Sequence, residues 1–169
     1  MINLKVLRPE QYNDFIKRNQ EAFRLAAVEE FGPQEEEVIS REDILQSLLS
    51  PRAQAFYIIY DEKVAGGVVV QIDNETQRNS LDLLFVDPEL HGRGIGSKVW
   101  AAIEGMYPET NVWETHTPYF EVRNIHFYVN KCGFHIVEFY NPQHPESEAV
   151  DTPGGELFFR FEKKILKLY

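Results

Sequence analysis

With 169 residues, 43% of them hydrophobic and 13% aromatic, the chain can bury a substantial core and is too apolar to be disordered. Its formal net charge of −10 argues against nucleic acid and anionic membrane as general partners, since both select a positive surface. It would instead attract cationic small molecules. The only cysteine, Cys132, rules out an intramolecular disulfide, and no apolar run approaches the ~20 residues of a membrane span. "MINLKVLRPEQYNDF" lacks the basic head and apolar core of a secretory signal. One cytoplasmic domain spanning residues 1–169 is therefore expected.

In chain order, "INLKVLR" alternates apolar and polar residues as a half-buried strand does, and Pro9 ends it. Tyr12, Phe15, Ile16, Phe23 and Ala27 then recur at helical spacing until Gly32 and Pro33. A shorter helix follows Ser40, with Asp43 completing a capping arrangement and "ILQSLL" supplying the apolar face. "AQAFYIIYDEKVAGGVVVQID" reads as a hairpin turning at "DEK", with Gly66 and Gly67 marking a bulge or a close backbone approach. "SLDLLFVD" is a further strand, and "GSKVWAAIEGMY" places Val99, Ile103 and Met106 on one helical stripe. The spacing then predicts a strand at "NVWETHT", a helix at "EVRNIHFYVNKC" and a strand after the helix-ending Gly133. A loop rich in proline, glycine and acids follows, and "LFFRFEKKIL" is the last strand. The order β-α-α-β-β-β-α-β-α-β-β implies an α/β chain with a mixed sheet and helices packed on it.

Between the strand ending at Asp87 and the next helix stands "HGRGIGSK". A helix N-terminus offers unpaired N–H groups and partial positive charge, and glycines let an anion approach the main chain. Gly92, Gly94 and Gly96, with Arg93 and Lys98 alongside, fit a diphosphate-sized anion. The spacing is not that of a Walker A loop, because Ser97 separates Gly96 from Lys98, and it is not G-x-G-x-x-G. A glycine-rich turn with no ligand is the bland alternative.

"VDPELHGRGIG" resembles the pyrophosphate loop of the GNAT superfamily of acyl-CoA N-acetyltransferases, [Q/R]-x-x-G-x-[G/A] after a strand ending in V-x-P. His91 stands where Gln or Arg is usual, and an imidazole can donate one hydrogen bond to a phosphate. The order of elements is also the family's order. The resemblance implies a mostly antiparallel central sheet flanked by helices. It further implies that Phe85 and Val86 offer backbone groups to the pantetheine arm, and that the loop His91, Gly92, Arg93, Gly94, Ile95, Gly96 and Ser97 wraps the diphosphate of acetyl-CoA. A wedge between "SLDLLFVD" and "NVWETHT" would admit the thioester.

Acyl transfer to an amine needs a base, an oxyanion donor and a proton for the departing thiolate. Glu114 and His116 lie two apart on one strand and share a face, so either can serve as base, with Asp82 on the preceding strand as a third candidate. Tyr128 matches the family's thiolate-protonating tyrosine, and its ~10 pKa is reasonably matched to a thiol of ~8.5; it also reads as a core aromatic. The interval from Tyr128 to Gly133 is one residue longer than in most relatives, and Glu121 replaces the family's usual asparagine. Asn124, one turn before Tyr128, is the substitute cofactor contact. Cys132 reads as a packing residue, and the five histidines show no metal spacing.

The expected activity is direct transfer of an acetyl group from acetyl-CoA to a primary amine, small-molecule or protein-borne, in a ternary complex, with no metal. A non-catalytic acyl-CoA binding or sensing module is the alternative, and an assembly protein built on its aromatic late strands is a second. A homodimer is compatible with the enzyme, because relatives often pair through late strands. The acidic "FGPQEEEVISRED", with Glu35, Glu36 and Glu37, reads as a solvated loop or as an entrance for a cationic amine.

Overall fold

The computed structural model describes residues 1–33, 39–145 and 157–167. The acidic run at Glu35 to Glu37 and most of the late loop, 146–156, lie outside the described residues. The elements are β1 (Ile2–Val6), α1 (Tyr12–Phe31), α2 (Arg41–Leu49), β2 (Ala53–Tyr60), β3 (Lys63–Gln71), β4 (Arg78–Val86), α3 (Ile95–Met106), β5 (Val112–Pro118), α4 (Val122–His126), β6 (His135–Tyr140) and β7 (Phe158–Lys164). This is the order that periodicity and turn residues predict. The strands form one sheet in the order β1-β2-β3-β4-β5-β7-β6, and β4–β5 is its one parallel pair among the described residues.

Alternation along the strands sends apolar side chains to both faces, and each face is covered by helices. On one face Phe15, Ile16, Ile44 and Leu48 of α1 and α2 pack on Tyr57, Val69, Leu83 and Phe85. On the other, Val99, Trp100 and Ile103 of α3 pack with Tyr128, Leu84, Trp113 and Phe161. The Trp100 and Trp113 rings meet edge to face at 5.0 Å. Ser40 caps α2 as its sequence implies, its Oγ accepting the Asp43 N–H at 3.1 Å.

Two irregularities shape the centre of the sheet. The β2–β3 register runs Ile58↔Gly66 and then Ile59↔Val64, which leaves Ala65 as the extra residue of a bulge. Gly66 and Gly67 follow because nothing larger fits: a Cβ on Gly66 would lie 2.1 Å from the Phe85 carbonyl oxygen, and one on Gly67 2.2 Å from the Phe15 ring. The β3–β4 register runs Val70↔Leu81 and then Val69↔Leu83, so Asp82 is skipped. The β4–β5 pairing runs from Arg78↔Val112 to Leu81↔Thr115 and stops there, immediately before the skipped residue. From that point the two strands diverge.

The helix read at "EVRNIHFYVNKC" is α-helical for Val122–His126 and continues as a π turn over Phe127–Cys132. A π turn takes one residue more than an α turn. It absorbs the extra residue between Tyr128 and Gly133, and Gly133, at φ 84°, ends it with its N–H on the Tyr128 carbonyl. Tyr128 and Cys132 both remain in the core.

Gly67→Ala forces a methyl group between the Phe15 and Phe85 rings, so urea unfolding should show a loss of about 1–3 kcal/mol. A variant as stable as the parent would mean that the rings yield freely. Burial pushes the Cys132 thiol up to about 12, so at pH 8 it remains protonated. Iodoacetamide should therefore leave the folded chain unmodified and alkylate Cys132 only in denaturant, which mass spectrometry reads directly.

Candidate active site

Beyond Leu81 and Thr115 the diverging strands leave β4 with one edge that no strand covers among the described residues. Backbone direction alternates along an antiparallel strand. The Phe85 carbonyl is turned toward β3, where it abuts Gly66, and the Asp87 N–H donates to the Ala65 carbonyl at 2.8 Å. The Val86 carbonyl points the other way, into the opening, and accepts a hydrogen bond from His91 Nε2 at 2.8 Å. By the same alternation Leu84, rather than Phe85, is the next residue whose backbone faces the opening.

The opening is one end of a cleft of about 840 Å³. Its floor is Leu84, Phe85 and Val86; its outer wall is the turn containing His91, Gly92 and Gly94, with Ile95, Gly96 and Ser97 of α3. Glu121, Arg123, Asn124, Phe127 and Tyr128 form the opposite wall, while Ala22, Phe23 and Leu25 of α1 close one side. Gly92 and Gly94 have φ of 82° and 72°, and a Cβ on either would meet no atom within 4 Å. Left-handed backbone next to open space at the start of a 12-residue helix is a cradle that suits a diphosphate. Gly96 differs: a Cβ there would sit 3.1 Å from the Phe127 ring, so this glycine lets α3 and the π turn approach each other.

Arg93 lies at the exposed tip of the turn, outside the cleft lining. His91 has both ring nitrogens engaged within the protein, Nε2 on Val86 and Nδ1 on the Arg123 guanidinium. Sequence reasoning passed over Arg123, whose partner lies 32 positions earlier in the chain. Glu121 is 4% exposed and occupies the N-cap of α4, beside the Asn124 that lines the cleft.

At the vertex of the wedge, Thr115 Oγ1 donates to the Leu81 carbonyl at 2.8 Å. Tyr128 reaches the same place from the helical side. Burial raises the pKa of its phenol, the nearby Cys132 and Glu121 push in the same direction, and a hydrogen bond with Thr115 works against them. The phenol therefore keeps its proton at neutral pH. His116 follows Thr115 and, by strand alternation, stands on the opposite face of β5.

That face carries a charged network. Glu114 lies 3.8 Å from Arg78, 3.7 Å from Arg160 and 3.7 Å from His116 Nε2. Arg160 also pairs with Glu138 at 2.6 Å and Glu162 at 2.8 Å. Arg160, and after it His144, hold the Glu138 carboxyl down to about 2. The His116 ring lies nearly parallel to Tyr140 at 6.2 Å, and Tyr140 to His144 at 5.5 Å. Asp82, at the bulge, accepts from Ser47 at 2.5 Å, Gln71 at 2.8 Å and Ser80 at 3.0 Å. Among the described residues no group of three or more His, Cys, Asp or Glu side chains is placed to hold a metal ion.

The sequence profile of the Acetyltransferase (GNAT) family matches residues 14–134. The uncharacterized protein YrkN of Bacillus subtilis (strain 168) is 47% identical over 173 aligned positions, covering 97% of this chain and 94% of YrkN. The ribosomal-protein-S18-alanine N-acetyltransferase of Escherichia coli superposes with a TM-score of 0.72 at 14% identity, covering 100% of this chain and 97% of that one. A spermidine N-acetyltransferase of Vibrio cholerae, solved in complex with CoA and spermine, gives 0.68 at 13% identity, over 96% and 95% of the two chains. These two structures share the fold, and the profile, which spans well over half the sequence, adds the family. The chain belongs to the GNAT family of acetyltransferases.

Proposed function

We propose that this acetyltransferase binds acetyl-CoA in the cleft and transfers the acetyl group to a primary amine by direct attack. The observation that carries the reading is the vertex of the wedge, where Tyr128 and His116 stand on opposite faces of the sheet beside the last paired residues, Leu81 and Thr115. A thioester threaded between the strands would meet a proton donor on one side and a base on the other. The cradle at Gly92 to Ser97 would hold the diphosphate, and the backbone of Leu84 and Val86, with Asn124 opposite, would hold the pantetheine arm. The CoA complex of the structurally similar spermidine N-acetyltransferase supports that use of the fold.

In this reaction the amine nitrogen bonds to the thioester carbon and the carbon–sulfur bond breaks. The proton lost by the amine goes to the His116 imidazole, and the Tyr128 hydroxyl supplies one to the departing sulfur. Outward backbone N–H groups of β4 are the oxyanion donors. Of the three candidate bases His116 is the best placed, because Glu114 is turned toward two guanidinium groups and toward His116 itself, and Asp82 accepts from Ser47, Gln71 and Ser80. Glu114 orients the imidazole, and Tyr140 supports its ring from the side. The acceptor reaches His116 from the face on which Glu114, Glu138 and Glu162 outnumber Arg78 and Arg160, which suits a cationic amine.

Thermal unfolding with acetyl-CoA tests the cofactor. Ligand at ~100 times its Kd adds about 2.7 kcal/mol, a rise of several degrees for a chain of this length. ATP and NAD should give no comparable shift, and the absence of a shift with acetyl-CoA would withdraw the reading. Release of CoA across a panel of amines tests the reaction, and binding without turnover on any amine would favour a sensing module. Tyr128→Phe should lower kcat by roughly 10²-fold while leaving acetyl-CoA affinity nearly intact. His116→Ala should cost more activity than Glu114→Gln, and the reverse order would move the base to Glu114.

A further inference from the structure

The loop motif has a Gln or Arg where this chain has His91, and the contacts of that histidine say where the missing phosphate donor has gone. A guanidinium has no acceptor, so the contact between Arg123 and His91 Nδ1 has Arg123 donating and Nδ1 accepting. The ring proton is then on Nε2, where the Val86 carbonyl takes it at 2.8 Å. No N–H of the imidazole remains for a ligand. Arg123 is in the opposite situation. It carries five N–H donors, lines the same cleft as Gly92, Gly94 and Ser97, and has no carboxylate partner among the described residues of a chain with a net charge of −10. It is also tied to the turn itself through His91.

We propose that Arg123 is the phosphate-binding guanidinium of this site, with His91 as the positioning residue that holds it over the turn. The assignment rests on the acyl-CoA reading above and gives Arg123 the diphosphate. His91 fixes the guanidinium from one side, leaving the remaining N–H groups for two phosphate oxygens in the forked geometry that arginine favours. The motif's usual long polar side chain is thus replaced by a pair, one residue from the turn and one from α4.

The CoA diphosphate and its 3′-phosphate offer the same chemistry, so the test uses acetyl-CoA and acetyl-dephospho-CoA, which lacks the 3′-phosphate, titrated by calorimetry. Arg123→Gln should raise Kd by about 10- to 100-fold for both ligands, the range of a lost charge-assisted contact. Since Arg123 is exposed, the thermal midpoint of the ligand-free variant should match that of the parent. His91→Ala should weaken binding less, and Arg123→Gln should cost less in the His91→Ala background than in the parent, because the guanidinium is no longer held. Unchanged affinity in Arg123→Gln overturns the proposal while parental binding keeps the acyl-CoA reading intact. A penalty seen with acetyl-CoA alone overturns the diphosphate assignment in favour of the 3′-phosphate. Additive costs in the double variant overturn the role of His91. Failure of the parent to bind either ligand removes the acyl-CoA reading itself.

Discussion

The cleft depends on the point at which β4 and β5 stop being neighbours. A parallel pair ordinarily satisfies its backbone groups along its whole length, and buried N–H and C=O groups without partners are costly. Here the pairing covers Arg78 to Leu81 and then ends at the bulge that skips Asp82. A bulge bends its strand and increases the local twist, which carries the rest of β4 away from β5. The polar groups so released at Leu84 and Val86 face a cavity rather than a strand. One of them, the Val86 carbonyl, already uses a side chain in place of the lost neighbour. The bulge is itself held by the three donors on the Asp82 carboxylate, so an acid considered for catalysis from its position in sequence has a structural task.

The three glycines of the turn divide between two constraints. Gly92 and Gly94 are required by backbone angle, since both have φ in the left-handed region, where side chains with a Cβ are disfavoured. Gly96 is required by contact, because the Phe127 ring occupies the space its side chain would need. The turn and the π segment therefore form one unit: the cradle depends on how closely α3 meets Phe127, and the neighbouring Tyr128 depends on the same packing. The phenol in the core and the N–H groups at the start of α3 are placed by a single interface.

Much of this is legible in the amino-acid sequence alone. The alternation in "INLKVLR", the 3.6-residue recurrence around Phe15 and the capping Ser40 each act locally, so the sequence displays them. Gly66 and Gly67 signalled close backbone approach, although the atoms they approach belong to Phe15 and Phe85. The site was only half legible, because its decisive contacts join distant positions. Nothing near His91 announces that Arg123 will reach it, and nothing in "NVWETHT" shows that Glu114 faces Arg78 and Arg160. The direction of the Phe85 and Val86 carbonyls is likewise decided by which neighbour β4 keeps. The extra residue before Gly133 was visible as a count, but the π turn that accommodates it could be seen only in the fold.

Every described residue lining the cleft falls between Ala22 and Lys131, yet the strand on the far side of the wedge is fixed from much further along the chain. β5 touches β4 over four residue pairs but is paired with β7 over its whole length, from Val112↔Lys164 to Pro118↔Phe158. During synthesis, the segment that builds the cradle and the tyrosine emerges well before the strand that fixes β5 in place. Removing β7 would leave β6 with no strand neighbour and β5 held to the sheet by its four pairs with β4 alone, while every described lining residue stayed in the chain, so the site's described side chains are all in place before its shape is.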